Sequence, residues 1–170
     1  MSRRQAGLLV AVLGLVSALA FAAGNIDPAA PYAWAENAGW LNWNATAGNV
    51  TVVTTGPGGY LTGHVWAENV GWLKLGDGTG PYLNNSPTDW GVNMDAGGNL
   101  SGYAWSETCG WVNFAPTHGQ VTINTTTGAF DGYAWSENTG WLHFKNAVPP
   151  YGVRTTGFET ITQGTIFCFK

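Results

Sequence analysis

A twelve-residue motif recurs four times in this 170-residue chain, and it constrains the fold more than any other feature. Its centre reads Trp-Ala/Ser-Glu-Asn/Thr-x-Gly-Trp. The copies occupy residues 32–43, 64–75, 103–114 and 133–144. The first Trp of each copy lies at position 34, 66, 105 or 135, so the intervals are 32, 39 and 30 residues. Such repetition indicates that one supersecondary unit is used four times.

Each motif is expected to form a β-hairpin. Glu-Asn-x-Gly fits a tight turn in which the Gly takes the left-handed conformation. In the first copy this turn places Glu36 opposite Trp40, Ala35 opposite Leu41 and Trp34 opposite Asn42. Strand alternation then gives the hairpin an apolar face and an aromatic-polar face. A shift of one residue at the turn would exchange the two faces.

The apolar face combines small residues with large ones, as an interdigitating core requires. Its predicted members are Ala33, Ala35, Leu41, Trp43, Val65, Ala67, Leu73, Leu75, Ala104, Ser106, Val112, Phe114, Ala134, Ser136, Leu142 and Phe144.

Shorter strand signals precede the later motifs at residues 50–53, 91–94 and 120–124, and no segment has a helical period. The sequence therefore predicts an all-β domain over residues 24–170. Four three-stranded repeats of about 30 residues would stack as a solenoid or roll, with residues 145–170 as a closing segment. The alternative is a small closed propeller or prism. That closure would need the segment Thr165–Phe169 to pair near the first repeat.

The first 23 residues are predicted to be an export signal. Two arginines precede an uncharged apolar run over residues 6–23, and small residues follow at the spacing of a cleavage site. An uncleaved membrane anchor is the rival interpretation, because the run is near the lower limit for a span. We expect a secreted, extracellular or cell-surface protein, with the periplasm possible and no membrane span after cleavage.

The charge balance argues against nucleic acid as a partner. Charged residues make up 9% of the chain, whereas about 25% is typical of soluble proteins. Without the signal, four basic residues stand against ten acidic ones, a net charge of −6. The chain therefore offers no basic stripe for phosphates.

Two cysteines, Cys109 and Cys168, are a candidate disulfide in an oxidising compartment. Free thiols and an intermolecular bridge are the alternatives. Cys109 occupies the variable x position of its motif, which we interpret as a turn tip and therefore not as a shared core position.

The motif resembles the tandem Gly-Tyr-Ala-Trp-Ser-Glu-Asn-x-Gly-Trp-Ile/Leu repeats of exported bacterial proteins. The fourth copy, residues 132–141, matches almost residue for residue, whereas the second has His64 in place of Tyr. The resemblance implies export and a β-repeat architecture, and it implies no reaction.

Two functions compete for the aromatic-polar face. The favoured prediction is a non-enzymatic structural or assembly protein, in which the tryptophans are mostly buried between stacked units and exposed edges pair with copies of the chain or with other surface proteins. The alternative is a surface module that binds glycans by indole stacking and by carboxylate and amide contacts. The candidate ligand-binding residues are Trp34, Glu36, Trp40, Trp66, Glu68, Trp72, Trp105, Glu107, Trp111, Trp135, Glu137 and Trp141.

Catalysis, metal binding and a cofactor are not expected. The four motif glutamates occupy equivalent positions, which argues against separate acid and base roles. The segments around Asp77 and Asp95 are better interpreted as turns than as calcium loops, because neither alternates ligands.

Overall fold

The protein is described by a computed structural model that covers residues 24–55, 58–77, 79–157 and 159–160. These ranges contain sixteen strands and no helix, so the all-β prediction is confirmed. Accordingly, no helix within these ranges is long and apolar enough to cross a membrane. The proposed export signal, Cys168 and the segment Thr165–Phe169 lie outside the described residues.

The strands are β1 (Ile26–Ala35), β2 (Gly39–Asn42), β3 (Thr51–Thr55), β4 (Gly58–Thr62), β5 (His64–Ala67), β6 (Gly71–Lys74), β7 (Gly76–Asp77), β8 (Trp90–Met94), β9 (Leu100–Ser106), β10 (Gly110–Asn113), β11 (Val121–Ile123), β12 (Phe130–Ser136), β13 (Gly140–His143), β14 (Lys145–Ala147), β15 (Pro150–Thr155) and β16 (Glu159–Thr160).

The four motifs form four antiparallel hairpins that close into an eight-stranded barrel. Hairpin 1 is β1–β2, hairpin 2 is β5–β6, hairpin 3 is β9–β10 and hairpin 4 is β12–β13. Neighbouring hairpins are joined by antiparallel pairing of β2 with β5, β6 with β9 and β10 with β12. Pairing of β13 with β1 completes the ring.

The solenoid or roll predicted from the repeats is therefore wrong. The alternative, a small closed propeller or prism, is correct in that the fold is closed, but the closed form is a barrel. A solenoid leaves its terminal units with one free side, whereas hairpin 1 pairs here with both hairpin 2 and hairpin 4. Closure satisfies the strand edges that an open stack exposes. The strand that closes the ring by pairing with β1 is β13, which lies within the fourth motif.

The predicted apolar face is the barrel interior. All sixteen of its residues, from Ala33 to Phe144, are at most 2% exposed. In each hairpin a small residue faces a large one, as Ala33 faces Leu41 and Val65 faces Leu73. Eight strands enclose a space just wide enough for side chains to fill, and this alternation fills it.

The pairing register within the hairpins differs from the prediction. Trp34 lies opposite Trp40 rather than Asn42, and Ala35 lies opposite Gly39. Each strand has moved by two residues relative to its partner, because Gly39 itself takes the pairing position next to the turn, at φ 71°. A shift of two keeps every side chain on its predicted face.

The turn end of the barrel is closed by the variable residue of the motif. Ala38, Cys109 and Thr139 are between 2% and 4% exposed, and Val70 packs partly buried against the same core. Cys109 does lie in the turn, but the interpretation that it is not a core position is wrong. Its burial raises the pKa of the thiol, which lowers its reactivity. The bridge to Cys168 stays a prediction.

Strands outside the ring extend the core at the other end. The outer pairs are β3–β4, β4–β8, β8–β9, β7–β8, β11–β12, β14–β15 and β15–β1, with β16 parallel to β3. Phe130, where β12 enters the ring, packs on the interior aromatics Trp43 and Phe144 at centroid distances of 5.4 and 6.0 Å. These outer strands cover the interior and supply residues to the same core cluster.

A glycine marks the point where the chain passes from the outer pairing into the ring. In hairpin 4 this residue is Gly132, with φ 88°, and its carbonyl accepts the backbone N–H of Phe144 at 3.1 Å. A Cβ at Gly132 would collide with the backbone carbonyl of Gln120. At the turn residue Gly71, with φ 79°, the structure places no atom within 4 Å of an added Cβ.

We expect Gly132→Ala to destabilise the protein at least twice as much as Gly71→Ala. Both substitutions place a Cβ in the left-handed region, which costs about 1–2 kcal/mol. Only Gly132→Ala also forces the backbone of β11 away from β12. Urea unfolding of the two variants measures the difference. Equal losses of unfolding free energy would contradict the close approach of Gln120.

Candidate functional site

Each hairpin carries a cross-strand pair of tryptophans on the outer surface of the barrel. The pairs are Trp34–Trp40, Trp66–Trp72, Trp105–Trp111 and Trp135–Trp141, with centroid distances of 5.0, 5.1, 4.7 and 4.9 Å. Their interplanar angles of 60–72° are those of edge-to-face packing, which is worth about 0.5–1.5 kcal/mol beyond burial. The indoles are therefore held in fixed orientations.

The tryptophans are displayed to solvent, contrary to the expectation that they are mostly buried between units. Trp34, Trp66, Trp72, Trp111 and Trp135 are 37–46% exposed, and the other three tryptophans of the cross-strand pairs are partly exposed. The reason is the ring itself. Each hairpin meets its neighbours through strand edges, so no hairpin lies over the outer face of another.

The motif glutamates Glu36, Glu68, Glu107 and Glu137 are exposed at the turns, and each reaches toward the preceding hairpin. The Glu68 carboxylate accepts the backbone N–H of Trp40 at 3.4 Å. An added Cβ at Gly140 would lie 2.8 Å from Glu36 Oε2, which shows the same relation between hairpins 4 and 1. We call the boundary between two neighbouring hairpins a seam. The two tryptophans and the glutamate of one motif are therefore divided between two seams.

The 2/3 groove lies between hairpins 2 and 3 and has a volume of about 490 Å³. It combines Trp72 of hairpin 2 with Trp105 and Glu107 of hairpin 3, and His64 and Lys74 complete one side. Thr108 stands here where the other three motifs have Asn. Its backbone N–H is donated to Ser106 Oγ at 3.3 Å, within its own hairpin.

The 3/4 groove lies between hairpins 3 and 4 and has a volume of about 370 Å³. It combines Trp111 of hairpin 3 with Trp135, Glu137 and Asn138 of hairpin 4, and Tyr103 forms one wall. Here the Asn of the motif is present, and its amide donates to the Cys109 carbonyl across the seam at 3.0 Å. Equivalent motif positions meet in the two grooves, namely a Trp of one hairpin and a Trp and a Glu of the next. The side chains differ at three other positions, where the 2/3 groove has His64, Lys74 and Thr108 and the 3/4 groove has Tyr103, Asn113 and Asn138.

The insertion groove is formed by the extra residues between the second and third motifs. It has a volume of about 560 Å³ and is lined by Asn84, Asn85, Ser86, Pro87 and Trp90 together with Tyr103 and Trp111. Trp90 packs edge-on against Trp111 at 5.0 Å and 89°. Trp90 lies outside the motif, so the repeat does not identify it. Its position within the longest repeat interval was the available signal.

The insertion is fixed to the barrel through Tyr82. Tyr82 is 5% exposed, and its hydroxyl donates to the Leu61 carbonyl at 3.1 Å. Its backbone exchanges two hydrogen bonds with the Asn93 side chain, at 2.9 and 2.7 Å. Burial raises the pKa of Tyr82 from 10 to about 12. The neutral phenol is therefore part of the folded structure.

We expect the stabilisation supplied by Tyr82 to disappear at alkaline pH. Its folded pKa is raised, so its contribution is complete below pH 10, where the unfolded phenol is also neutral. Between about pH 10 and pH 12 the unfolded phenol ionises first and favours unfolding. Tyr82→Phe should therefore be less stable than the natural chain at pH 8, by about 1 kcal/mol for the lost hydrogen bond.

The difference in unfolding free energy between the natural chain and Tyr82→Phe should narrow as the pH rises above 10. Chemical denaturation at pH 8, 10 and 11 measures it, and the remaining tyrosines and lysines titrate equally in both proteins. If this difference in unfolding free energy stays constant from pH 8 to pH 11, the conclusion that the folded protein holds a neutral Tyr82 phenol is contradicted.

The aromatic surface carries little charge apart from the glutamates. Burial lowers the pKa of His64, and the nearby Lys74 lowers it further. Burial also lowers the pKa of His143, against the opposing effect of Asp131. Lys74 forms an ion pair with Asp77 at 2.9 Å. In the part of the chain that the structure describes, no three His, Cys, Asp or Glu side chains come together as a metal site would require.

Comparison with known proteins assigns no family. No protein-family model matches the chain, and neither a curated protein nor a solved structure shows significant similarity to it.

Proposed function

We propose that this protein is a non-enzymatic, secreted or cell-surface module that binds neutral glycans in the grooves between its hairpins. The observation that carries the proposal is the display of Trp72, Trp111 and Trp135, about 40% exposed, beside a glutamate at two seams, with an asparagine amide also present in the 3/4 groove. The export expected from residues 1–23 belongs to the same proposal, with the periplasm as a possible location.

The chemistry of the grooves matches that of a sugar ring. One side of a pyranose presents C–H groups, which pack on an indole, while its rim presents hydroxyls that need donors and acceptors. Trp111 and Trp135 supply apolar surface, and Glu137 and Asn138 supply an acceptor and an amide. Apolar walls with a few polar groups that fix orientation are the general pattern of small-ligand sites.

Preorganisation favours binding at this surface. Edge-to-face contacts hold the indoles, so little side-chain freedom is lost when a ligand packs against them. Equivalent grooves on one barrel can also engage one polymer at several points. The second contact then forms at a high effective concentration and strengthens attachment to a polysaccharide without a new kind of contact.

Assembly into filaments or a matrix is the competing function, and the fold changes how it would operate. The first and fourth hairpins pair with each other, so their strand edges are satisfied. Within the ring, the exposed tryptophans are the surface that self-association would use, since exposed apolar surface can also bind another protein. Substitution of one tryptophan tests both functions at once.

The test is tryptophan fluorescence of the purified protein, titrated with soluble glycans. The panel consists of neutral gluco-, xylo-, manno- and chito-oligosaccharides, with polygalacturonate as an acidic comparison. We expect a shift with at least one neutral glycan. Trp111→Ala should weaken that binding at least about tenfold, because a central Trp anchor is worth about 2 kcal/mol or more. Val148→Ala, at an exposed residue that lines none of the three grooves, is the matched control.

Two results would overturn the proposal. One is the absence of any response to the neutral panel by a folded protein. The other is concentration-dependent self-association in light scattering that Trp111→Ala abolishes, without glycan binding. That second result would establish the aromatic surface as an assembly interface.

A further inference from the structure

The insertion makes one seam of the barrel unlike the others. The interval between Trp66 and Trp105 is 39 residues, against 32 and 30 for the other intervals, and the additional residues build the insertion groove. The segment is held by side-chain hydrogen bonds. Asn84 accepts the backbone N–H of Gly91 at 2.9 Å, and Asp89 accepts that of Leu83 at 3.2 Å. The groove is therefore a built surface rather than a loose loop.

The insertion groove adjoins the 3/4 groove, because Tyr103 and Trp111 line both. Trp111 is the most exposed of the ten tryptophans, at 46%. It is also braced from two directions, by Trp105 at 4.7 Å and by Trp90 at 5.0 Å. Trp111 therefore stands between two adjoining grooves. Because its indole is exposed and held in place, it can pack against neighbouring units of one polymeric ligand.

We propose that the two grooves form a single extended site, which binds a neutral glycan chain of two or more sugar rings lying across Trp111. This inference rests on the proposed function and specifies its ligand. Each groove alone falls in the range of about 300–1,000 Å³ typical of small-ligand sites, so a single ring leaves one of them empty. The other seams lack the insertion, so the molecule has one extended site.

The charge of the residues that line the two grooves indicates the charge of the ligand that fits them. The insertion side offers the neutral amides and hydroxyl of Asn84, Asn85 and Ser86. The one charged side chain that lines either groove is Glu137, which is negative. A uronic acid or sulfated chain would meet a carboxylate without a cation in these grooves to compensate it. The site therefore selects uncharged, hydroxyl-rich chains.

The experiment measures affinity against chain length for three proteins. The probes are gluco-, xylo-, manno- and chito-oligosaccharides of one, two, four and six units, titrated by calorimetry. The variants are Asn85→Ala on the insertion side and Asn44→Ala as the control, since both asparagines are exposed and Asn44 lines neither groove. Circular dichroism verifies that each variant is folded.

We expect affinity to rise at least about tenfold from one unit to four, with one tight site per molecule. Asn85→Ala should weaken binding of the four- and six-unit chains about threefold or more, and by a larger factor than it weakens binding of one unit. Asn44→Ala should have no effect at any length.

The inference fails alone, and the proposed function survives, if a neutral sugar binds with an affinity that does not depend on length or on Asn85. Both fail if no neutral sugar of any length binds to the folded protein. Tighter binding of polygalacturonate than of every neutral chain would also overturn the neutral selectivity.

Discussion

Two residue pairs, Trp34 opposite His143 and Ala35 opposite Leu142, join the first hairpin to the fourth. This pairing is the constraint on which the rest of the structure depends. It turns a row of four hairpins into a ring and directs their apolar faces toward one axis. The interior is then finite, and only an alternation of small and large side chains fills it.

The same constraint explains why the tryptophans are outside. The interior of eight strands has room for Ala, Ser, Val and Leu along its length and for a few aromatics at one end. One indole is accommodated there, that of Trp43, and its N–H has no partner among the described residues. The other eight motif tryptophans lie on the opposite face of the strands. There they pack in edge-to-face pairs, so the surface that supports the proposed binding is a consequence of how the core is filled.

The sequence was sufficient to assign the two faces but not to determine how the hairpins meet. Alternation along each strand places Ala33 and Leu41 inside and Trp34 outside, and a two-residue error in register leaves this unchanged. Closure depends on contact between Ala35 and Leu142, and neither copy of the motif identifies its neighbour. The local pattern is equally compatible with stacking and with a ring.

The candidate site was predictable in composition and not in geometry. The motif identifies Trp, Glu and Asn as the repeated polar-face residues. It does not reveal that Glu68 belongs with Trp40 of the preceding hairpin, because that contact crosses a seam. Trp90 gave no repeat signal at all. Its role follows from the insertion, which places it against Trp111.

The two ends of the domain are fastened to each other. The Asn25 carbonyl accepts the Thr156 backbone N–H and the Thr155 hydroxyl, each at 2.8 Å, and the Asn25 amide donates to the Gly157 carbonyl at 2.8 Å. A mechanical load applied between residues 25 and 157 therefore acts first on these few bonds and then on the pairing of β1 with β15. Tension reaches the ring of hairpins only after that clasp opens.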